Sequence, residues 1–192
     1  RQVSATDASS YVERQDGRPN FDGSTVTICN SQVNAAALYY ETSGQSPVVL
    51  AEDKDSLYIR NSTGYVLEST RTGKKNLAKP GSDIFVIEAF SDIQNRRVVM
   101  IWGYTGFGTV SAANFAKFEL AAHLEEYRSS YYVGRWTDAK EGASSNGIPD
   151  QGDTYEIVST GPSLTGAEGP YVGWTTVTVL CILAFMLIGL GY

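Results

Sequence analysis

The chain has little of what most catalytic and metal-binding proteins rely on. Among its 192 residues there are one histidine and two cysteines. That excludes a zinc finger, a haem attachment motif and a disulfide scaffold, each of which needs more ligating or pairing side chains. Basic residues are also scarce: 15 Lys and Arg stand against 21 Asp and Glu, and the formal net charge is −6. No Lys/Arg run exceeds two residues, so the cationic face that phosphate backbones require is missing, and nucleic acid is not expected as a partner. The charged fraction, 19%, lies below the ~25% of average domains and does not suggest the ion-pair networks of hyperthermophiles. What is present is apolar: 42% hydrophobic and 11% aromatic residues, enough for a core in one domain with an appendage.

Charge is absent altogether from one end. All 36 charged residues (15 basic plus 21 acidic) lie within 1–168. Residues 172–192 read VGWTTVTVLCILAFMLIGLGY. At 1.5 Å per residue such a helix spans roughly 32 Å, close to the ~30 Å hydrocarbon core of a bilayer. Its Val, Leu, Ile and Phe residues favour insertion by roughly 3–6 kcal/mol before polar terms. The sequence therefore predicts a transmembrane anchor over 171–192, with Val172, Trp174, Leu180, Phe185, Leu187 and Tyr192 as anchor residues. The competing expectation is a buried core helix. Thr175, Thr176, Thr178, Ala184, Gly189 and Gly191 are the small or hydroxyl residues that let membrane helices approach one another. Ser159, Thr160, Gly161, Ser163 and Gly166 ahead of the apolar end also resemble a lipid-anchor attachment signal.

The expected topology is a single-pass protein with its N-terminal domain outside the cell. The first residue is Arg1, which predicts a removed signal peptide or a trimmed start. Asn61-Ser62-Thr63 is an N-glycosylation sequon, making Asn61 the glycosylation candidate. The alternative is a cytosolic tail-anchored protein. Cys29 and Cys181 lie in different regions and read as small hydrophobes. The chain thus divides into a turn-rich lead-in (1–24), a β-rich ectodomain (25–160), a Gly/Pro/Ser linker (161–170) and the anchor (171–192).

Within the ectodomain, short β-like runs occur at 25–29, 47–51, 56–60 and 64–68, separated by turn-forming residues. Residues 35–42 (AAALYYET) are ambiguous, and 71–82 should be a loop. The strongest strands are 83–90 (DIFVIEAF) and 97–104 (RVVMIWGY), a hairpin whose nearly continuous apolar runs predict burial on both faces. Strands at 131–137 and 154–159 close the pattern. Tyr39-Tyr40 and Tyr131-Tyr132 put adjacent rings on opposite faces if extended, so half of these rings are expected in the core. One helix is predicted over 112–128, capped by Ser111, with Phe115, Phe118 and Ala122 on its apolar side. The fold class is mostly β, an antiparallel sandwich-like body with one packed α-helix plus the C-terminal transmembrane helix.

Candidate chemistry is sparse. The stretch 103–109 (GYTGFGT) runs from a strand towards the helix, as a phosphate-cradling loop would. It lacks the Gly-Lys-Ser/Thr ending and inverts the dinucleotide fingerprint, so its glycines read as aids to close packing. The loop 138–153 offers Asp138, Asn146, Asp150 and Asp153, with a carbonyl near Ile148, as oxygen ligands for Ca²⁺, at a spacing unlike an EF-hand. The competing expectation is Asx turns in a solvated loop. His123 has Glu119 and Glu126 near it in sequence but no adjacent nucleophile, and the neighbours Glu125 and Glu126 point apart. The chain is not expected to be an enzyme.

The segments PGSDIFVIEAFSD, RRVVMIWGYTGFGT, SSYYVGRWTD and NGIPDQGDTYEIV resemble archaeal S-layer-type cell-surface proteins, the envelope proteins of methanogens and their relatives. The resemblance covers the last third to half of the ectodomain together with the anchor. It implies a secreted, membrane-anchored β domain, a candidate glycoprotein, that assembles on the cell exterior. The expected function is a structural protein of the cell envelope, contacting the bilayer and either further copies of itself or other envelope proteins. The alternatives are an anchored binding module for a partner, glycan or Ca²⁺, and a subunit of a membrane-embedded filament or virion envelope.

Overall fold

The computed structural model describes residues 24–53, 56–70, 81–123, 129–140, 142 and 145–162. The predicted lead-in up to residue 23, the anchor 171–192 with its six residues, Cys181, and the linker beyond Pro162 lie outside the described residues. Among the described residues no helix is long and apolar enough to cross a membrane.

The chain is mostly β, as the sequence predicts, in two sheets. Strands β1 (Thr25–Ile28), β5 (Ser82–Ser91), β6 (Arg97–Gly103), β7 (Tyr131–Thr137) and β8 (Thr154–Thr160) form a five-stranded sheet in the order β1-β6-β5-β7-β8. Strands β2 (Val48–Glu52), β3 (Leu57–Asn61) and β4 (Val66–Thr70) form a three-stranded antiparallel sheet. The pairing is mostly antiparallel, as expected, with one exception: β1 runs parallel to β6, pairing Thr25 with Val98 through Ile28 with Ile101. A parallel neighbour demands a long crossover. Here that crossover contains a helix and the whole small sheet.

Both faces of the large sheet are covered, which is why β5 and β6 read as continuous apolar runs. Side-chain alternation sends Phe85, Ile87, Val99, Ile101, Tyr132 and Trp136 to one face, against helix α2 (Gly106–Phe115). Ile84, Val86, Val98, Met100, Trp102, Tyr131 and Val133 go to the other, against helix α1 (Ala35–Thr42) and Val48, Leu57 and Ile59 of the small sheet. The body is thus three layers, not a two-sheet sandwich. Tyr131 and Tyr132 point to opposite faces, as expected of an extended pair, and both are buried because each face has a cover, so more than half of these rings lie in the core.

Two helices stand where one was expected. The ambiguous 35–42 stretch is α1, set by its ends. Asn34 accepts the N–H groups of Ala36 (3.0 Å) and Ala37 (3.1 Å), and Gly44 at φ +71° ends the helix past Ser43. Helix α2 begins at Gly106, capped by Thr105, whose hydroxyl accepts Phe107 N–H at 3.1 Å. Ser111 is therefore not the cap. It lies inside the helix and its Oγ donates to the Phe107 carbonyl at 2.7 Å. After Phe115 the helix widens into a π turn (Ala116–Leu120), where Ala121 N–H reaches Ala116 O at 3.1 Å. The extra residue rotates the next part of the helix, so Leu120 is buried while the predicted core position Ala122 is exposed. Residues 124–128 of the predicted helix lie outside the described residues.

Candidate functional site

The loop between β7 and β8 holds all four predicted Ca²⁺ ligands. Asp138 comes directly after β7 and its Oδ1 accepts the N–H groups of Gly147 (3.1 Å) and Asn146 (3.3 Å). Asn146 Oδ1 accepts Ile148 N–H at 2.7 Å, and its Nδ2 donates to Asp150 Oδ2 at 3.2 Å. Asp150 Oδ1 accepts Gly152 N–H at 2.7 Å. The Asn146 and Asp150 bonds close Asx turns, in which a short polar side chain takes the place of a backbone acceptor, whereas Asp138 reaches across the loop.

Asp153 is used differently. Its Oδ2 accepts Trp136 Nε1–H (2.7 Å) and Asp150 N–H (2.8 Å), and its Oδ1 accepts Ala139 N–H (2.9 Å). Both oxygens face the loop's own donors. The loop is further tied to the body by Asn114 Nδ2 on Pro149 O and the Tyr155 hydroxyl on Asp150 O, each 2.7 Å. Among the described residues, no group of three or more His, Cys, Asp and Glu converges as metal ligands. In this conformation the four side chains hold the loop by accepting N–H groups. Replacing Asp153 by Ala orphans three donors, one on a buried tryptophan, and should cost about 2 kcal/mol in denaturant unfolding. Asp150→Ala, at the exposed rim, should cost less than about 1 kcal/mol.

The glycine-rich stretch behaves as its packing reading predicts. A Cβ on Gly108 would sit 2.3 Å from Ile84 O, so helix α2 can lie on β5 only with glycine there. The N-terminus of α2 already holds a carboxyl group of its own. Asp83 Oδ2 accepts Gly108 N–H (2.8 Å), Thr105 N–H (3.1 Å) and the Thr105 hydroxyl, while its Oδ1 accepts Ile84 N–H at 2.7 Å. Burial raises the Asp83 carboxyl above its ordinary range, against these four donors. A phosphate would have to displace this carboxylate.

The remaining predicted positions are separate from that loop. Asn61 ends β3, and its Oδ1 accepts Thr63 Oγ1–H (2.7 Å), Tyr65 N–H (2.9 Å) and Thr63 N–H (3.1 Å). The sequon is thus a closed Asx turn leading into exposed residues 62–65. His123 is exposed at the end of the helix, its Nδ1 3.1 Å from Glu119 O. Cys29 is half-buried after β1, at φ +82°.

Sequence reasoning missed two carboxylates between the layers, one fully buried and one half-buried. Glu88, in the middle of β5, is fully buried and accepts Trp102 Nε1–H (2.7 Å) and Val48 N–H (3.1 Å). Glu41 on α1 accepts Leu50 N–H at 3.3 Å. Burial pushes Glu41 up to about 7, with Ser31 and the Leu50 N–H opposing it. Burial also pushes Glu88 up to about 8, helped by the charge of Glu41 and opposed by its donors. The available signal was one acidic residue inside the run DIFVIEAF, at a position whose strand neighbours all face a core.

No family model, curated protein or solved structure matches this chain.

Proposed function

We propose that this chain is a membrane-anchored structural protein of the cell exterior, which assembles through its β-rich body. The observation that carries the reading is the partition of charge: all 36 charged residues precede a 21-residue uncharged run at 172–192. Charged residues cost about 2.5–3.5 kcal/mol each at the centre of a bilayer, so this partition is what an anchor requires. The body supports the assembly part. β1 and β8 are the outer strands of the large sheet, and outer strands offer backbone groups to a neighbouring chain. Exposed Tyr65, Ile93 and Ile148 supply apolar contact area on its turns. In this reading the loop 138–153 is structural and the chain is not an enzyme.

The test is fractionation of cells expressing the full chain, with alkaline carbonate extraction of the membranes. The chain is expected to stay in the membrane pellet, and exchanging Leu180 and Leu187 together for Lys should move it to the soluble fraction. Detergent extracts are expected to contain large ordered particles by light scattering and direct imaging. Recovery of the unmodified chain in the carbonate supernatant would overturn the anchor. Membrane-bound protein that gives only monomers would favour an anchored binding module over a structural subunit.

A further inference from the structure

The contact between the two sheets contains a hydrogen-bond pattern that only a protonated carboxyl group completes. Ser46 Oγ touches two oxygens at once, the Val48 carbonyl and Glu88 Oε2, the latter at 2.7 Å. A serine hydroxyl carries one hydrogen and can fill only one of these contacts. The Val48 carbonyl carries none. The second hydrogen must therefore sit on Glu88. With it the pattern closes: Glu88 Oε2–H donates to Ser46 Oγ and Ser46 Oγ–H donates to Val48 O. Val48 N–H still reaches Oε2, and Trp102 Nε1–H still reaches Oε1. An ionised Glu88 would leave two oxygens facing each other without a hydrogen, in a fully buried place.

These partners come from both layers. Glu88 and Trp102 belong to the large sheet, Ser46 and Val48 to the start of the small one. We propose that a neutral Glu88 is a proton-operated latch that fastens the three-stranded sheet to the five-stranded sheet, and that losing its proton frees the outer layer.

The surroundings favour this response. The ionisable group acting on Glu88 from α1 is Glu41, a like charge. Its strand neighbours are Met100 on β6 and Tyr131 on β7, and neither can neutralise it. Among the described residues no Lys, Arg or His pairs with it. Deprotonation thus places one uncompensated negative charge, and near it a second on Glu41, between the layers.

Proton counting gives the sign. Folded Glu88 holds its proton up to about 8, whereas its ordinary value is 4.5. Between those values the native state carries a proton that the unfolded chain has released. Stability is full at the acid end and falls as pH rises. Glu41 contributes in the same direction up to about 7, so from pH 7 to pH 8 Glu88 is the larger contributor. Over that unit Glu88 should raise the unfolding equilibrium constant about fivefold, because it is itself half deprotonated at the upper end.

Two measurements on the full chain test the proposal. The infrared spectrum of the wild type at pH 7 should show the carbonyl stretch of a protonated carboxylic acid, and Glu88→Gln should remove most of it. No such band in the wild type, or an undiminished band in Glu88→Gln, overturns the protonated state. The second measurement needs no variant. Val48 and Leu50 donate their N–H groups to Glu88 and Glu41, so both report on the latch directly. From pH 7 to pH 9 their hydrogen-exchange protection, corrected for base catalysis, should fall at least tenfold and should stay below that of the β5 and β6 amides, which open only on global unfolding. Constant protection at Val48, or protection equal to that of the β5 and β6 amides throughout, overturns the release of the outer layer.

Discussion

Trp102→Ala should lower the stability of this protein by about 4 kcal/mol, one of the largest single-residue effects the fold allows. Trp102 is fully buried on the face of β6 that meets the small sheet. Truncation removes the ring from a core that includes Met100, Val48 and Tyr131, and leaves a cavity that β-strands cannot easily close. It also deprives Glu88 Oε1 of its donor at 2.7 Å. Trp102→Phe separates the two losses. It keeps most of the ring and deletes the N–H, so it should cost about 1–3 kcal/mol, the penalty of one unpaired buried group. Denaturant midpoints of the two variants measure both terms. Equal midpoints would mean that the hydrogen bond, and not the volume, dominates. Against a total of about 5–15 kcal/mol for a typical domain, the alanine variant should be close to unfolding at physiological temperature.

Gly103→Ala is expected to cost about 3 kcal/mol for the opposite reason, overfilling. A Cβ at this position would lie 2.3 Å from the Gly108 carbonyl carbon, 2.4 Å from Gly108 Cα and 2.6 Å from Thr109 N. All three are backbone atoms of α2, so no rotamer change relieves the clash. The helix must lift off the sheet, and the bonds that fix Thr105 and Gly108 to Asp83 go with it. Gly106→Ala is the internal control. Nothing lies within 4 Å of a Cβ there. Alanine in the first turn of a helix should instead stabilise by about 0.5 kcal/mol. Thermal unfolding of the pair should show shifts of opposite sign, and a destabilised Gly106→Ala would mean that α2 begins elsewhere.

The strands were legible in the sequence because each of their signals is local. Alternation marked β1, apolar runs marked β5 and β6, and turn residues separated β2, β3 and β4 to within two residues of their observed bounds. The helices were harder, since their determinants are not in their apolar pattern. α1 is announced by Asn34 and Gly44, a cap at each end, and hidden by Tyr39 and Tyr40, which suit a strand equally well. The start of α2 is hidden by Gly106 and Gly108, poor helix formers, of which Gly108 is present because the helix crosses so close to β5 and β6. The parallel partner of β1 and the layer order are products of long-range pairing, on which no short window bears. Of the candidate site, the competing expectation of Asx turns in the loop 138–153 was legible in the sequence. The direction of each carboxylate was beyond reach, because Asp153 turns inward only through Trp136 and Ala139.

The parallel pairing of β1 with β6 has a consequence for biogenesis. Asn30, just after β1, reaches the Gly103 carbonyl at the end of β6 across 73 residues of chain. At translation speeds of about 5–20 residues per second, β1 leaves the ribosome roughly 4–15 s before its partner exists. Through that interval the nascent strand has to stay unattached to any other polypeptide. Its sequence suits the wait, because Thr25 and Thr27 alternate with Val26 and Ile28 and keep the segment from being apolar on both faces. The hairpin of β5 and β6, by contrast, needs only a short local closure, so the centre of the large sheet can form first and receive its oldest strand last.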